Sequence, residues 1–217
     1  MQNDFIIVLA WPEGMVTAAG AWYDRVLSTN GKYRVGHSAL VLVNSATQQL
    51  HYMDFGRYHT PFGFGRVRDM ETDPDVRLKT TANIDKGSIS NIEEILLEIS
   101  ALQSTHGEGK LFASVLNNIC FEKGYKYAKS IQDKGAVAYG PLVWGGTNCS
   151  RFVSSIMRAS NPSLCTDLRL KYPFCLSPSP KRNVSIANST YYVVGGGNCK
   201  QINKSFIKSY FTSIERL

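Results

Sequence analysis

The sequence predicts an α+β fold in which antiparallel β-strands pack against α-helices, and three features of the 217-residue chain support this class. Two β-prone runs at 33–44 and 48–58 are separated only by the short polar stretch "SAT", which is typical of a hairpin. Residues 88–103 instead repeat their apolar side chains with a helical period. Residues 148–159 come after a glycine pair and open on Asn148, which is a favourable helix cap.

The first half of the chain contains most of the predicted strands. "FIIVLAW" at 5–11 is apolar and comes after Asp4 rather than a positive region, so it is interpreted as a buried strand and not as a signal peptide. Residues 18–29 predict a short helix that stops at Asn30-Gly31. The glycine- and arginine-rich segment 59–84 has no sustained helical period, so we expect mostly loop near a functional edge, with room for one short strand.

The second half alternates helices with short strands. Ser90 and Glu93 form a candidate capping box at the start of the helix in 88–103. The remaining predictions are a strand at 110–117, a helix at 120–135, an extended segment at 136–144, irregular structure at 160–182, a strand at 189–197 and a helix at about 199–212. Since no boundary linker is visible, we expect one domain over 1–217.

Composition narrows the functional classes. Hydrophobic residues make up 43% and charged residues 19%, which favours a globular protein, and no apolar run approaches the roughly 18 residues of a membrane span. The net charge of +7 and a pI of about 9.2 suggest an anionic partner. The lysines and arginines are scattered, however, and no basic helix, RNP-like strand or zinc motif is present, so we expect no specific nucleic acid partner.

The five cysteines do not form a recognisable framework. They stand at positions 120, 149, 165, 175 and 199, an odd number without a CxxC pair or a tight His/Cys group. This spacing fits neither a set of disulfides nor a zinc site, so we expect no metal or cofactor and reduced thiols in a cytoplasmic setting. If the protein is exported, a disulfide between Cys165 and Cys175 remains the alternative to reduced thiols.

Two cysteines end nearly identical stretches, "GGTNC" at 145–149 and "GGGNC" at 195–199. A thiol in the first turn of a helix has a lowered pKa because the unpaired N–H groups and the helix dipole stabilise the thiolate. The same N–H groups can bind an oxyanion, and a preceding glycine such as Gly146 lets the backbone approach a substrate. Both stretches are equally explained as ordinary capped helix starts.

A thiol nucleophile needs a base, and the chain offers four histidines. His106 lies in a polar loop, and His59 opens the long loop without an obvious partner. His51 lies on the return strand of the hairpin, and His37 comes directly after a glycine at the start of a very apolar strand. We therefore take His37 as the candidate base, with a histidine satisfied by backbone as the alternative.

The return strand of the hairpin also offers an orienting group for the base. A two-residue turn at Ser45–Ala46 places Asp54 opposite His37, whereas a turn at 46–47 places Asp54 opposite Ala39, within diagonal reach. His51 lies further along the hairpin in either register. Both residues remain candidates for the third catalytic position.

"GHSALVLV" at 36–43 and, much later, "TNCSRFV" at 147–153 resemble the circularly permuted papain-like cysteine enzymes, the NlpC-like clan that includes the lecithin retinol acyltransferase-like group. In that clan the histidine strand precedes the nucleophile helix. The resemblance implies Cys149 as the nucleophile and His37 as the base, with Asp54 or His51 as the third residue. It also implies an antiparallel sheet or partial barrel packed against the helix that carries Cys149.

The function implied by this resemblance is a thiol hydrolase or acyltransferase that acts on an acyl- or peptide-containing substrate through an acyl-enzyme. Our candidates for substrate binding are Gly146, Asn148, Arg66 and Arg68. The alternative is a non-catalytic module of the same fold that holds an anionic or lipid ligand in a basic cleft. Cys199 has no histidine strand positioned for it and is interpreted as a helix start.

Overall fold

The computed structural model describes residues 4–17, 32–34, 36–173, 175 and 177–211. The helix predicted at 18–29 lies outside the described residues. The described strands are β1 (Asp4–Trp11), β2 (Met15–Thr17), β3 (Lys32–Arg34), β4 (His37–Val43), β5 (Leu50–Gly56), β6 (Phe64–Arg68), β7 (Ile84–Asp85), β8 (Ser88–Ile89), β9 (Leu111–Ile119), β10 (Val137–Ala138), β11 (Thr190–Gly195) and β12 (Asn198–Asn203). Eight of them form the main element, a sheet in which neighbouring strands are antiparallel, with the order β10-β6-β5-β4-β1-β9-β11-β12. The pairs β2-β3 and β7-β8 form two separate two-stranded sheets.

Helices cover both faces of this sheet. They are α1 (Ile92–Ala101), α2 (Phe121–Gln132), α3 (Cys149–Ala159), α4 (Leu164–Lys171), α5 (Pro180–Ala187) and α6 (Phe206–Phe211), and short 3₁₀ turns occur at Pro74–Val76 and Gln103–Thr105. Among the described residues, no helix is both long and apolar enough to cross a bilayer.

The central strand β1 is buried along its whole length. It lies between β4 and β9, and its alternating side chains enter two separate cores. On one face Ile7 and Leu9 join the apolar side of α1, whereas on the other Ile6 and Val8 join the side of the sheet covered by α3. A strand buried on both faces is continuously apolar, which explains the "FIIVLAW" run.

Helix α3 fixes the position of Cys149. Its buried side includes Phe152, Val153, Ile156 and Met157, all of them fully inaccessible to solvent and packed in the core beneath β4 and β5. Burial of this apolar stripe accounts for the helix, because each large side chain contributes about 1.5–3 kcal/mol. The predicted α+β class, with an antiparallel sheet packed against the helix that carries Cys149, is confirmed.

The helix predicted in 88–103 is present, but the capping box is wrong. Its cap residue is Asn91, and the Ser90 hydroxyl donates instead to the Asn83 carbonyl at 3.0 Å. The Asn91 amide group donates to the Thr81 carbonyl, so both side chains anchor the preceding loop.

The prediction of irregular structure at 160–182 is also wrong in part, because two short helices begin there. The Ser163 side chain caps α4 by accepting from the Thr166 N–H, and Ser179 caps α5 by accepting from the Arg182 N–H. Pro180 occupies the first turn of α5, where its missing N–H and fixed φ favour a helix. Pro180 therefore helps to start a helix here, although prolines in a late segment usually indicate irregular structure.

The largest error concerns the "GGGNC" stretch, which forms a β-hairpin rather than a helix start. Gly195 pairs with Asn198, and the two residues between them, Gly196 and Gly197, have φ values of +59° and +77°. Positive φ at both central positions is the requirement of a type I′ hairpin turn. The chain then returns as β12, and the last described helix includes Phe206–Phe211.

This turn generates the first prediction. Gly197→Ala should lower the free energy of unfolding by roughly 1–2 kcal/mol, since alanine is penalised in the left-handed region. Gly197→Asn should be less destabilising because asparagine tolerates this conformation. Chemical denaturation of both variants checks the order, and equal losses would contradict a type I′ turn.

Candidate active site

The entry to β4 is a tight passage that only glycine can occupy. Gly36 has a φ of +67°, and its N–H donates to the Gly14 carbonyl at 3.0 Å. A Cβ at this position would collide with the Trp11 carbonyl oxygen and lie 2.7 Å from Pro12 Cα. The next residue, His37, begins the strand opposite Trp11, and the two rings stack with centroids 5.8 Å apart. The glycine before the histidine therefore fixes where the imidazole lies.

Asp54 reaches His37 diagonally across the β4–β5 hairpin. The strands pair Ala39 with Asp54, which is the register that the predicted turn at 46–47 gives, although the connecting loop is wider than two residues. The Asp54 Oδ2 atom lies 3.1 Å from His37 Nε2. Because Nε2 faces the carboxylate, Nδ1 is the ring nitrogen that remains for the thiol.

Four side chains bind the buried Asp54 carboxylate. Arg68, directly opposite on β6, donates from Nε to Oδ1 at 3.0 Å and from Nη2 to Oδ2 at 2.7 Å. The Tyr52 and Tyr58 hydroxyls donate to Oδ2 at 3.1 and 3.0 Å, and His37 completes the set. Burial alone raises the pKa of Asp54, but the hydrogen bonds from His37 and Arg68 outweigh it and lower that pKa to about 2.

Cys149 is the first residue of α3. The preceding segment is bound to the edge strand, with the Thr147 N–H donating to the Ala138 carbonyl, and the Asn148 side chain caps the helix by accepting from the Arg151 N–H at 2.9 Å. The thiol therefore lies at the positive end of the helix dipole. Within this frame the thiol lies beside the His37 imidazole and the Ser38 N–H, and both lower its pKa.

The electrostatics favour a thiolate paired with an imidazolium. Burial raises the pKa of Cys149, but the hydrogen bond and charge of His37 reverse this and lower it overall. Burial likewise lowers the pKa of His37, whereas Asp54 and Cys149 raise it to about 9. Each group thus stabilises the charged form of its neighbour, which is the condition for a reactive thiol at neutral pH.

A cleft of about 580 Å³ opens at this end of the sheet. Of Cys149, His37 and Asp54, His37 is the one that lines the cleft. The His37 side chain is 14% exposed, whereas Cys149 is 6% exposed. The other lining residues come from the loops at the same edge: Gly14, Met15, Gly36, Gly56, Arg57, Tyr58, Thr60, Pro61, Phe62, Gly63, His106, Glu108 and Tyr139. The base is therefore accessible to a ligand while the thiol is largely shielded.

The other candidate for the third catalytic position, His51, lies apart from this chemistry. His51 is three residues from Asp54 and so points to the opposite face of the sheet, where its ring packs against Phe121 and Tyr125. Its pKa is lowered by burial. The structure thus brings Asp54, and not His51, to the imidazole.

The four candidates for substrate binding have structural partners. Arg66 forms a bidentate ion pair with Asp73, both distances being 2.6 Å, and Arg68 binds Asp54. Gly146 packs closely, because an added Cβ would lie 2.5 Å from the Ala138 carbonyl oxygen, and Asn148 is occupied as the cap.

Sequence reasoning missed Tyr52, Tyr58 and Trp11. Tyr52 could have been found, because it lies two residues before Asp54 and hence on the same face of a predicted strand. Tyr58 had no such signal. Its ring turns back over Gly56, where an added Cβ would lie 2.8 Å from the tyrosine oxygen. The position of the ring therefore depends on the path of the loop that follows β5. No group of three His, Cys, Asp or Glu residues in the described part of the chain could hold a metal ion.

A family model for type VI secretion system effectors of the TseH-like kind matches residues 6–164, which include all three catalytic candidates. The chain belongs to this family. The crystal structure of the type VI secretion system effector TseH matches with a TM-score of 0.61 at 18% identity and covers 94% of this chain and 99% of that chain. No curated protein matches the chain.

The structural match extends beyond the region of the family model. It covers 94% of the chain, so the shared fold includes much of the sequence after residue 164. The large antiparallel sheet of this chain, with a helix packed beneath it, and its match to the TseH structure fit the papain-like fold implied by the two sequence motifs.

The tight passage at Gly36 generates the second prediction. Gly36→Ala should destabilise the protein by about 1–3 kcal/mol more than Gly135→Ala, because both residues have a φ of +67° but only Gly36 is crowded by backbone. Gly135 has no atom within 4 Å of an added Cβ and so isolates the backbone strain. Denaturation curves measure both losses, and equal values would contradict the close contact with Trp11.

Proposed function

We propose that this chain is a type VI secretion effector that acts as a cysteine hydrolase of the permuted papain-like type, with Cys149, His37 and Asp54 as its catalytic triad. The observation that carries the proposal is the alignment of the three groups: the His37 ring binds the Asp54 carboxylate at 3.1 Å and lies beside the Cys149 thiol, whose pKa it lowers. The thiol lies at a helix N-terminus, and the histidine strand precedes it in sequence, as the resemblance to the permuted clan implies.

In this mechanism the Cys149 thiolate attacks the acyl carbonyl of the substrate and forms a tetrahedral intermediate. The intermediate's oxyanion is bound by the unpaired N–H groups at the start of α3, including that of Cys149. His37 then gives its proton to the leaving group as the C–N or C–O bond breaks, which leaves a thioester on Cys149. Water, deprotonated by His37, cleaves the thioester and restores the thiol.

The lining of the cleft suits a peptide-bearing acyl substrate. Phe62 and Met15 are 79% and 49% exposed and offer apolar contact, while Arg57 and Glu108 offer charges of opposite sign. Of the arginines around segment 59–84 that could make the cleft basic, Arg66 and Arg68 are instead ion-paired with Asp73 and Asp54. This mixed lining favours a peptide-bearing substrate over a purely anionic or lipid ligand.

Membership of an effector family also bears on where the protein acts. Effectors of a secretion system leave the cell that makes them, so we propose export rather than the cytoplasmic setting expected from the free thiols. All five cysteines are unpaired in the structure, and Cys165 and Cys175 are exposed.

The third prediction concerns selective alkylation at acid pH. At pH 6, iodoacetamide should label Cys149 well before the other four cysteines, because an ordinary thiol with a pKa of about 8.5 is almost fully protonated there. The lowered pKa of Cys149 and the raised pKa of His37 together preserve the thiolate. Peptide mapping by mass spectrometry gives the site and rate.

Three variants serve as controls for this labelling. Cys149→Ala should abolish the fast phase, and Cys199→Ala should leave it unchanged, since burial raises the pKa of Cys199. His37→Ala should slow it at least tenfold at pH 6 by removing the counter-ion. Equal labelling of all five thiols in the folded protein would refute the proposed nucleophile.

The fourth prediction concerns the acyl-enzyme. Small peptide-amide and activated-ester substrates should be hydrolysed by the wild type with transient mass addition on Cys149, and Cys149→Ala should show neither. His37→Ala and Asp54→Asn should lower turnover by about 10²–10⁴-fold, in line with the loss of a general base or its orienting group. Hydrolysis that survives Cys149→Ala would place the chemistry elsewhere.

A further inference from the structure

Arg68 contacts the triad without being able to contact a substrate. Its side chain is 3% exposed, and its guanidinium uses both Nε and Nη2 to bind the two oxygens of Asp54. The same Nη2 donates to the Ser104 carbonyl at 3.0 Å, and the guanidinium carbon lies 3.5 Å from the centre of the Tyr58 ring. A side chain held on three sides in this way has no freedom to serve as a surface cation.

The three strands that carry this arrangement are adjacent in the sheet. His37 stands on β4, Asp54 on β5 and Arg68 on β6, and the register places Arg68 directly opposite Asp54. The carboxylate is therefore bound from both sides, by the imidazole and by the guanidinium. Bidentate pairing of arginine with a carboxylate fixes the plane of the carboxylate as well as its charge.

We propose that Arg68 is a positioning residue of this catalytic site, which keeps Asp54 ionised and oriented towards His37 Nε2 and thereby preserves the Cys149 thiolate in acid. The inference rests on the proposed function of the triad, and it adds Arg68 as a fourth residue that supports the triad. Arg68 touches neither substrate nor thiol, and its effect on the reaction passes through Asp54.

The physical argument concerns the charge on Asp54. If Asp54 takes up a proton, the His37 imidazolium loses its counter-ion, and the thiolate loses the cation that stabilises it. An opposite charge in direct contact lowers a carboxyl pKa by about 1–3 units, so Arg68 delays this loss to lower pH. Four titratable or charged groups bind Asp54 directly: His37, Tyr52, Tyr58 and Arg68. Arg66 and, behind the Tyr58 ring, His106 act on it at a distance, and Cys149 faces His37.

The test is the pH profile of Cys149 alkylation in the full-length protein. The acid limb of this profile is the pH range in which the alkylation rate falls as the pH is lowered. In Arg68→Met the pKa of Asp54 rises, so the acid limb should move to higher pH by about 1–3 pH units. At a pH below the limb, a shift of one unit makes alkylation tenfold slower. The rate on the plateau should change less than the rate in acid, which a merely structural role would not produce.

A matched control lies two residues away on the same strand. Arg66 also forms a bidentate ion pair, with Asp73, and that pair contacts no member of the triad. Arg66→Met removes an equivalent ion pair and should move the acid limb much less than Arg68→Met, because Arg66 acts on Asp54 only at a distance. In an Asp54→Asn background, Arg68→Met should no longer shift the limb, because the group on which it acts is gone.

Arg68→Met leaves a buried carboxylate without its bidentate partner, which strongly destabilises a protein. If that variant does not fold, Arg68→Lys retains the charge and loses the bidentate geometry, and it should give a smaller upward shift with a slower plateau. If the Arg68 variant that folds has the same acid limb and the same plateau rate as the wild type, the inference is overturned. Unselective labelling in the wild type would instead defeat the proposed function itself, so the two failures are distinguishable.

Discussion

The pairing register of β4 with β5 is the constraint on which the site depends. Ala39 lies opposite Asp54, so the carboxylate meets His37 on the diagonal, and the small alanine side chain leaves room for it. A slip of one residue would turn Asp54 to the other face of the sheet, towards the core beneath α3. The apolar alternation of these two strands fixes the same register, because it sorts Leu40 and Val41 into separate cores. Core packing and catalytic geometry are therefore specified by one pattern.

Burial of the Asp54 carboxylate requires compensation, since an unpaired buried charge costs several kcal/mol. Donors come from three consecutive strands and the loop that joins two of them, and together they satisfy both oxygens. The Tyr58 ring closes this arrangement by lying between the Arg68 guanidinium and the His106 ring. The site is consequently preorganised, because movement of Asp54 would break contacts with every neighbouring element.

Several elements are predictable because their patterns are strong and local. The apolar runs of β1 and β4, the periodic helix α1 and the Asn148 cap all lie close to their expected places. The motifs around His37 and Cys149 single out two residues that the fold brings together. Alternation along the strand also separates His51 from Asp54, because in either hairpin register only Asp54 shares a face of the sheet with His37.

Other features depend on contacts that no local pattern records. The sequence suggests Arg68 as a substrate-binding residue because its segment resembles a loop, whereas pairing of β6 with β5 turns the side chain inwards against Asp54. Tyr58 contributes only because its loop folds back over Gly56. Both outcomes result from the path of the chain between β5 and β6, which short-range propensities do not determine.

The two "GGxNC" stretches show how far local chemistry reaches. In both, the glycines and the asparagine favour a change of direction, but neither stretch determines whether a helix or a strand comes next. After Cys149 the chain can bury a helical stripe beneath β4 and β5, so a helix forms and holds the thiol beside His37, which lowers the pKa of Cys149. After Cys199 the chain instead pairs with β11, where the same thiol is partly buried and its pKa is raised by burial and by the charge of Glu93. The reactivity of each cysteine is thus decided by the surface that the subsequent residues cover, and not by the five residues that the two stretches share in form.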